Sequence, residues 1–198
     1  MDRRTIIQYL IDQYELKNYL EIGVKHGEVF NNLKNLNNKV GVDPNINSKA
    51  TIFQTSDEYF LNLQKDIKFD IIFIDGWHED VQVERDIINS LEHLEPDGFI
   101  VCHDMSPAKE IHQDMSHCGK GGAWNGNCWK AWVKFRSIYN NLEMHVVDCD
   151  YGCGIIRRGK QELIEPIELT YANLDKNRQK LLNLISYEEF ITKFKRTN

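Results

Sequence analysis

Apolar residues recur along this chain in two rhythms. Near the N-terminus Ile6, Ile7, Leu10, Ile11 and Tyr14 follow helical spacing and predict an amphipathic helix over residues 3–15. Short apolar runs then alternate with helical stretches. NYLEIG (18–23), KVGVD (39–43) and, more weakly, ATIFQ (50–54) read as strands, and HGEVFNNLKNL between the first two is long enough for a crossover helix. Phe69 to Ile74 reads as a strand covered on both faces. A helix is expected from about Glu79 to Leu94, with Val81, Ile87, Ile88 and Leu91 as its apolar positions. The turn EPDG and a strand at 99–104 (FIVCHD) follow. Repeated strand–helix units of this kind predict an α/β, doubly wound, Rossmann-like sheet with helices on both faces.

The pattern breaks after Asp104. Residues 105–127 are rich in Gly, Ser and Asn and form a long loop of the kind that carries function. Helical periodicity resumes at Trp129, Trp132, Val133 and Phe135. The runs 143–148 and 152–158, split by a CDY turn, predict an antiparallel hairpin that completes a mostly parallel, seven-stranded sheet. In the tail 166–198, Leu174, Leu181, Leu182, Leu184, Ile185 and Phe190 keep helical spacing, so that face packs on the sheet or on a second subunit of a homo-oligomer. No repeat or linker interrupts the sequence. Residues 1–198 therefore read as one domain: a helical segment 1–17, a sheet core 18–158 and the tail.

Composition narrows the function classes. Of 198 residues 41% are hydrophobic and 27% charged, which suits a folded protein rather than a disordered one. The net charge is −6 and the basic clusters are short and scattered, so nucleic acid is not an expected partner. No apolar run approaches the roughly 18 residues of a membrane span, and charges interrupt the N-terminal apolar pattern, which sets membrane and secretion aside and predicts a cytoplasmic protein. The five cysteines lack CxxC spacing and read as free thiols. An irregular set of His112, His117, Cys118 and Cys128 is the one zinc grouping the spacing offers.

The candidate chemistry gathers where strands end. Asp75, Gly76, Trp77 and His78 lie just past a buried strand, at the edge of an α/β sheet where ligands bind. In YLEIGVKHGEVF, Glu21, Gly23 and Gly27 occupy the first strand-to-helix turn. Glycines there either admit a ligand to the backbone or serve packing alone. Lys25 stands where a dinucleotide motif needs glycine, which argues against a nicotinamide-dependent oxidoreductase. Asp43, ending the second strand in GVDP, is placed either to accept ribose hydroxyls or simply to sit in a turn before Pro44.

Glu21-x-Gly23-x-x-x-Gly27 followed by Asp43 resembles the S-adenosylmethionine-binding half of class I methyltransferases. The likeness runs over roughly residues 18–158, and the branch suggested is the small O-methyltransferases similar to catechol O-methyltransferase and to sugar and antibiotic O-methyltransferases. The resemblance implies that TSDEYF, with Ser56 and Asp57, contacts the adenine. It also places Asp75, His103 and Asp104 at the positions of a divalent metal site for magnesium, manganese or a similar ion, and His78 where the catechol-type enzymes carry a lysine base. Asp75 would then serve donor, metal and catalysis together. His103 departs from the family's usual oxygen ligand. Independently of family, two carboxylates ending neighbouring strands suit one hard cation, and a neutral imidazole with a pKa of about 6.5 can take a hydroxyl proton. Adjacent strand residues point to opposite faces, so His103 and Asp104 converge only if the strand has already ended.

The reaction expected is methyl transfer to a hydroxyl of a small molecule, a sugar or another polyhydroxylated metabolite, with the loop Gly119 to Asn127 closing over it. Trp77, Trp124, Trp129 and Trp132 would flank the mouth, although the last two equally suit core packing. A nicotinamide oxidoreductase and a cofactor-binding partner without turnover stay open as alternatives.

Overall fold

The computed structural model describes residues 1–196. Its strands are β1 (Asn18–Ile22), β2 (Asn38–Val42), β3 (Phe69–Ile74), β4 (Leu94–Cys102), β5 (Leu142–Val147), β6 (Cys153–Arg158) and β7 (Leu184–Ile185). They form one sheet in the order β2-β1-β3-β4-β6-β5-β7. Only β6 runs antiparallel to its neighbours, as the hairpin pattern predicts. Helices α1 (Arg3–Tyr14), α2 (Ser56–Asn62), α3 (Asp80–Glu92), α4 (Trp129–Ile138), α5 (Tyr171–Leu182) and α6 (Tyr187–Lys193) flank it.

Strand alternation divides the interior into two cores. Tyr19, Ile71, Phe73, Phe99 and Val101 face α1 and α6, meeting Ile6, Ile7, Leu10 and Phe190. Leu20, Ile72, Ile74, Ile100 and Cys102 face the other way, toward Val83, Ile87, Trp129, Trp132 and Leu174. Trp129 and Trp132 are thus core residues and not part of the mouth. The Trp132 ring packs against Gly154, where an added Cβ would lie 2.4 Å from it.

Five sequence expectations are corrected, the first being the EPDG turn, whose residues lie inside β4 from Leu94 on. No helix forms over HGEVFNNLKNL; isolated turns bury Val29, Phe30 and Leu33 instead. Lys25 and Asn35 are left-handed, and the Asn32 side chain donates to Glu28 O, so local side-chain bonding competes with helix. ATIFQ is not a strand: only Ile52 bridges Val42, and the Thr51 hydroxyl takes up ladder groups of Gly41. The seventh strand comes from the tail, where β7 pairs with β5 and α5 and α6 cover the sheet. On α3 the buried positions are Val83, Asp86, Ile87 and Ser90, while Val81 and Ile88 are exposed. Residues 197 and 198 of the expected tail lie outside the described residues.

Helix α2 escapes a periodicity reading because it is short, yet it has a legible start. Thr55 and Glu58 form a reciprocal capping box. Among the described residues no helix is long and apolar enough to cross a membrane.

Candidate active site

The chain leaves β1 toward β2 on one side and reaches β3 on the other, so a crevice opens at the carboxyl ends of β1 and β3. A cleft of about 1320 Å³ occupies it, and Glu21, Gly23, Asp43, Ser56, Asp57, Asp75, His78, His103 and Asp104 all line it. Gly27 does not. Its left-handed φ of 75° serves the turn, and an added Cβ would lie 2.3 Å from the Asn31 side chain. At Gly23, φ is 88° and an added Cβ would lie 2.2 Å from Asp75 O. Gly23 therefore lets the β1 turn press against the end of β3, and this contact fixes Asp75 relative to the Glu21 and Asp43 side of the cleft.

Glu21 is buried and accepts a 2.5 Å hydrogen bond from the Tyr19 hydroxyl. Burial pushes its carboxyl up to about 8, against the lowering effect of that hydrogen bond. Asp43 accepts from Lys25 N and Asn45 N, both at 2.8 Å, so it shapes the turn as well as lining the cleft. Gln82 on α3 ties the α2 end together, donating to Ser56 Oγ, Asp57 Oδ1 and Asp86 Oδ1 at 3.2, 3.1 and 3.0 Å.

At the other side the acidic and imidazole groups converge. β4 ends at Cys102 and Asp104 adopts φ 62°, so the turn re-aims adjacent side chains that a strand would have separated. His103 Nδ1 lies 3.4 Å from Asp75 Oδ1 and 3.1 Å from Asp104 Oδ2. His78 Nε2 lies 3.4 Å from Asp75 Oδ1, and its Nδ1 lies 3.2 Å from Asp104 Oδ2. These are ion-pair contacts; the buried His78 Nδ1 and His103 Nε2 are off the line of a hydrogen bond. Burial disfavours charge on both rings, but the carboxylates outweigh it: Asp75 and Asp104 raise His78, and Asp104, Asp150 and Asp75 hold His103 well above its ordinary value. Burial alone would raise Asp75, whereas His103 and His78 bring it well below the usual carboxylate range.

Three residues of this cluster were not legible as site residues. Asp150, in the β5–β6 turn, places Oδ2 3.4 Å from His103 Nε2. Arg3 arrives from the start of α1, with Nη1 2.9 Å from Asp150 Oδ2 and Nε 3.4 Å from Asp75 Oδ2. A basic residue in a first helical turn opposes the helix dipole, and that was the available signal. Asn125 closes the 105–127 loop onto Asp104.

That loop contains two short 3₁₀ turns, Glu110–Gln113 and Met115–His117. Its Gly119, Gly121, Gly122 and Trp124 line the cleft. Trp124 stacks on His78 with centroids 5.0 Å apart and planes 8° apart, and Trp77 stands 6.4 Å from Trp124. Among the described residues, the His112, His117, Cys118 and Cys128 set is not brought together as a metal group, whereas Asp75, His103 and Asp104 place ligand atoms within 4.8 Å of one another. All five cysteines are free.

Residues 30–105 match the family described as a methyltransferase domain. No curated protein matches the chain. A Klebsiella pneumoniae structure described as an O-methyltransferase is 13% identical, with 80% of this chain and 81% of that one covered and a TM-score of 0.58. The Podospora anserina methyltransferase PaMTH1, bound to SAH, is 16% identical with 80% and 78% covered and a TM-score of 0.54. MycE methyltransferase of the mycinamycin biosynthetic pathway, in complex with Mg, SAH and mycinamycin VI, is 16% identical over 83% of this chain and 51% of its own, with a TM-score of 0.52. At these identities the likeness is one of fold. The domain match spans β2, β3 and β4 and ends beside Asp104, and the fold over about 80% of this chain is the one these methyltransferase structures share.

Proposed function

We propose that this protein methylates a hydroxyl of a small molecule, a sugar or another polyhydroxylated metabolite, with S-adenosylmethionine as donor and a divalent cation held by Asp75, His103 and Asp104. The observation that carries this reading is the convergence of those three residues and His78 at the ends of β3 and β4, in the same cleft as Glu21, Asp43, Ser56 and Asp57. MycE, which shares the fold, holds Mg and SAH in its own complex.

The residues fit both groups. Glu28, Asp43, Asp57, Asp75 and Asp104 outnumber Arg3 and Lys25 on the cleft wall, a balance that favours a donor that is itself a sulfonium cation. For the metal, two carboxylate oxygens and one imidazole nitrogen converge, and His103 has Asp150 behind its other ring nitrogen, the outer-shell arrangement of metal-binding histidines. An imidazolium and a cation are alternative partners for the same carboxylates. When bound, the cation would orient acceptor oxygens and lower the pKa of the hydroxyl. The mixed oxygen and nitrogen set suits manganese, iron or zinc better than magnesium.

The chain's own residues do the rest. Gly23 and the β1 turn would hold the donor beside Asp75, where the donor would supply the methyl group for the acceptor oxygen. His78 would accept the proton of the attacking hydroxyl, with Asp104 Oδ2 3.2 Å from Nδ1 and Asp75 Oδ1 3.4 Å from Nε2 placed to favour the protonated ring that results. Trp124 covers the imidazole and, with Trp77, offers flat apolar faces to a sugar or aromatic ring while excluding water.

The test is a panel of sugars, nucleotide sugars and phenols with labelled donor, with and without divalent metal. Chelation and Asp104→Ala are expected to abolish turnover while donor binding persists, and His78→Ala to lower turnover by about 10²-fold or more with donor and metal still bound. Full activity after exhaustive chelation would remove the metal role. Donor binding without turnover on any hydroxylated acceptor would favour a non-catalytic role.

A further inference from the structure

The β5–β6 turn carries a pair of thiols that the chemistry above does not use. Cys149 and Cys153 stand at its two ends with their sulfurs 3.9 Å apart, Cys149 partly exposed and Cys153 fully buried. Between them, Asp150, Tyr151 and Gly152 have φ of 44°, 60° and 92°, three consecutive left-handed residues of which only one is glycine. Such a backbone persists where its surroundings over-determine it. Here the surroundings are the active site: Asp150 Oδ2 accepts from Arg3 N at 3.0 Å and pairs with Arg3 Nη1 and His103 Nε2. In addition, Met105 N and Ser106 N donate to Gly152 O and Tyr151 O at 3.1 and 2.8 Å.

We propose that Cys149 and Cys153 are a modification site, a dithiol that peroxide converts reversibly to a disulfide, and that closing it shifts the turn that holds Asp150 behind His103. The sulfur of Cys149, the accessible partner, attacks the peroxide; the O–O bond breaks, one water leaves and a sulfenic acid forms. The Cys153 sulfur then displaces that hydroxyl, which departs with the Cys153 proton as a second water. Two thiols have lost two electrons and the peroxide has gained them. A disulfide needs its sulfurs about 2.05 Å apart, so the two ends of a five-residue turn must draw together and its strained middle must rearrange. Asp150 lies in that middle. Its displacement removes the partner of His103 Nε2 and one of the partners of Arg3, and it loosens residues 103–106, which include Asp104.

The consequence for turnover rests on the proposed methyl transfer, whereas the thiol chemistry does not. The experiment uses the full chain with Cys118→Ser, so that the exposed thiol is silent, treated with hydrogen peroxide and then with a dithiol reductant. Trypsin releases residues 137–157 as one peptide bearing both cysteines. Expected are a loss of about 2 Da from that peptide, the two thiol hydrogens, and roughly tenfold faster amide hydrogen exchange over 103–106 and 149–152. Turnover should fall about tenfold or more, with all three reversed by reductant. Cys149→Ser should keep its basal activity and lose the response; if it folds poorly, Cys153→Ala provides the same comparison. A peptide that keeps its mass under excess peroxide, or a disulfide that forms with exchange unchanged, overturns the inference. A reduced protein inactive on every acceptor would count against the proposed function alone, because mass and exchange still decide the disulfide.

Discussion

Asn125 donates from Nδ2 to Asp104 Oδ1 at 2.5 Å, and both residues are buried, 1% and 4% exposed. The bond joins the two ends of the 105–127 loop. Asp104 turns the chain out of β4 in a left-handed conformation, and Asn125 returns it toward α4, held by its own N–H on His112 O at 2.8 Å. One oxygen of Asp104 is thereby fixed, while the other faces both imidazoles. The loop's closure and the geometry of the acidic cluster are a single arrangement.

Asn125→Ala should cost about 1–3 kcal/mol of stability, because it leaves a buried carboxylate oxygen without its donor. Turnover should fall further than that loss explains, with donor affinity little changed, since Glu21 and Asp43 are untouched. Asn125→Asp should be worse, setting a second carboxylate against Asp104. Thermal melts beside donor titrations and turnover separate the two effects; a variant as active and as stable as the parent would show that the loop closes without this bond.

Stability of the metal-free protein and turnover of the metal-loaded protein are expected to follow opposite pH trends. The folded-state pKa of His78 is raised, as is that of His103, so their protonation stabilises the fold fully below about 6.5 and that stabilisation is lost as pH rises through the raised values. The proposed proton abstraction by His78 needs the neutral ring, so turnover should instead rise over that window. Melting temperature should therefore fall while the rate rises as pH climbs above about 6.5, and His78→Gln should flatten the rise in rate. A rate that peaks below pH 6.5 would exclude His78 as the base.

Sequence patterning was most informative where a run has a local cause. Phe69 to Ile74 is apolar enough to demand burial on both faces, and Asp75, Gly76, Trp77 and His78 after it can only lie at the sheet edge. It failed where the deciding partner is distant. The seventh strand is two residues long and exists because β5 offers an edge to Leu184 and Ile185. Arg3 and Asp150, 147 positions apart, share a hydrogen bond that no spacing encodes. The missing helix after Gly23 is an intermediate case: Val29, Phe30 and Leu33 keep a helical pattern, yet the surrounding asparagines satisfy the backbone otherwise.

Gly23→Ala tests the seam between the donor half and the acidic cluster. A Cβ there would overlap Asp75 O and stand 2.5 Å from the Gly76 Cα, and the φ of 88° is itself poorly tolerated by alanine. Both neighbours are backbone and cannot swing aside. A destabilisation of about 3 kcal/mol or more is expected, with donor binding lost in whatever fraction folds. Gly119→Ala is the control: its φ is 73°, but nothing lies within 4 Å of the added carbon, so only the smaller backbone penalty of about 1 kcal/mol should appear. Equal melting temperatures for the two variants would mean that the seam is slack.

Glu21 provides the sharpest test of the proposed donor site. Burial has carried its carboxyl from an ordinary 4.5 to about 8, so near neutral pH it is mostly protonated when the cleft holds no cation. Folding stability from this group is present below pH 4.5 and declines as pH climbs toward 8, since the folded state holds the proton longer. A cationic donor in the same cleft reverses the preference, because a nearby positive charge favours the carboxylate. Binding of S-adenosylmethionine at pH 7 should therefore release a proton, and affinity should strengthen by up to about tenfold per pH unit until pH 8. Calorimetry in two buffers of different ionisation enthalpy reads the released proton directly. Glu21→Gln should bind more weakly at pH 8 and release none, while S-adenosylhomocysteine, lacking the sulfonium charge, should release less. Donor binding by the parent chain with no proton exchange in either buffer would place the positive charge of the donor away from Glu21.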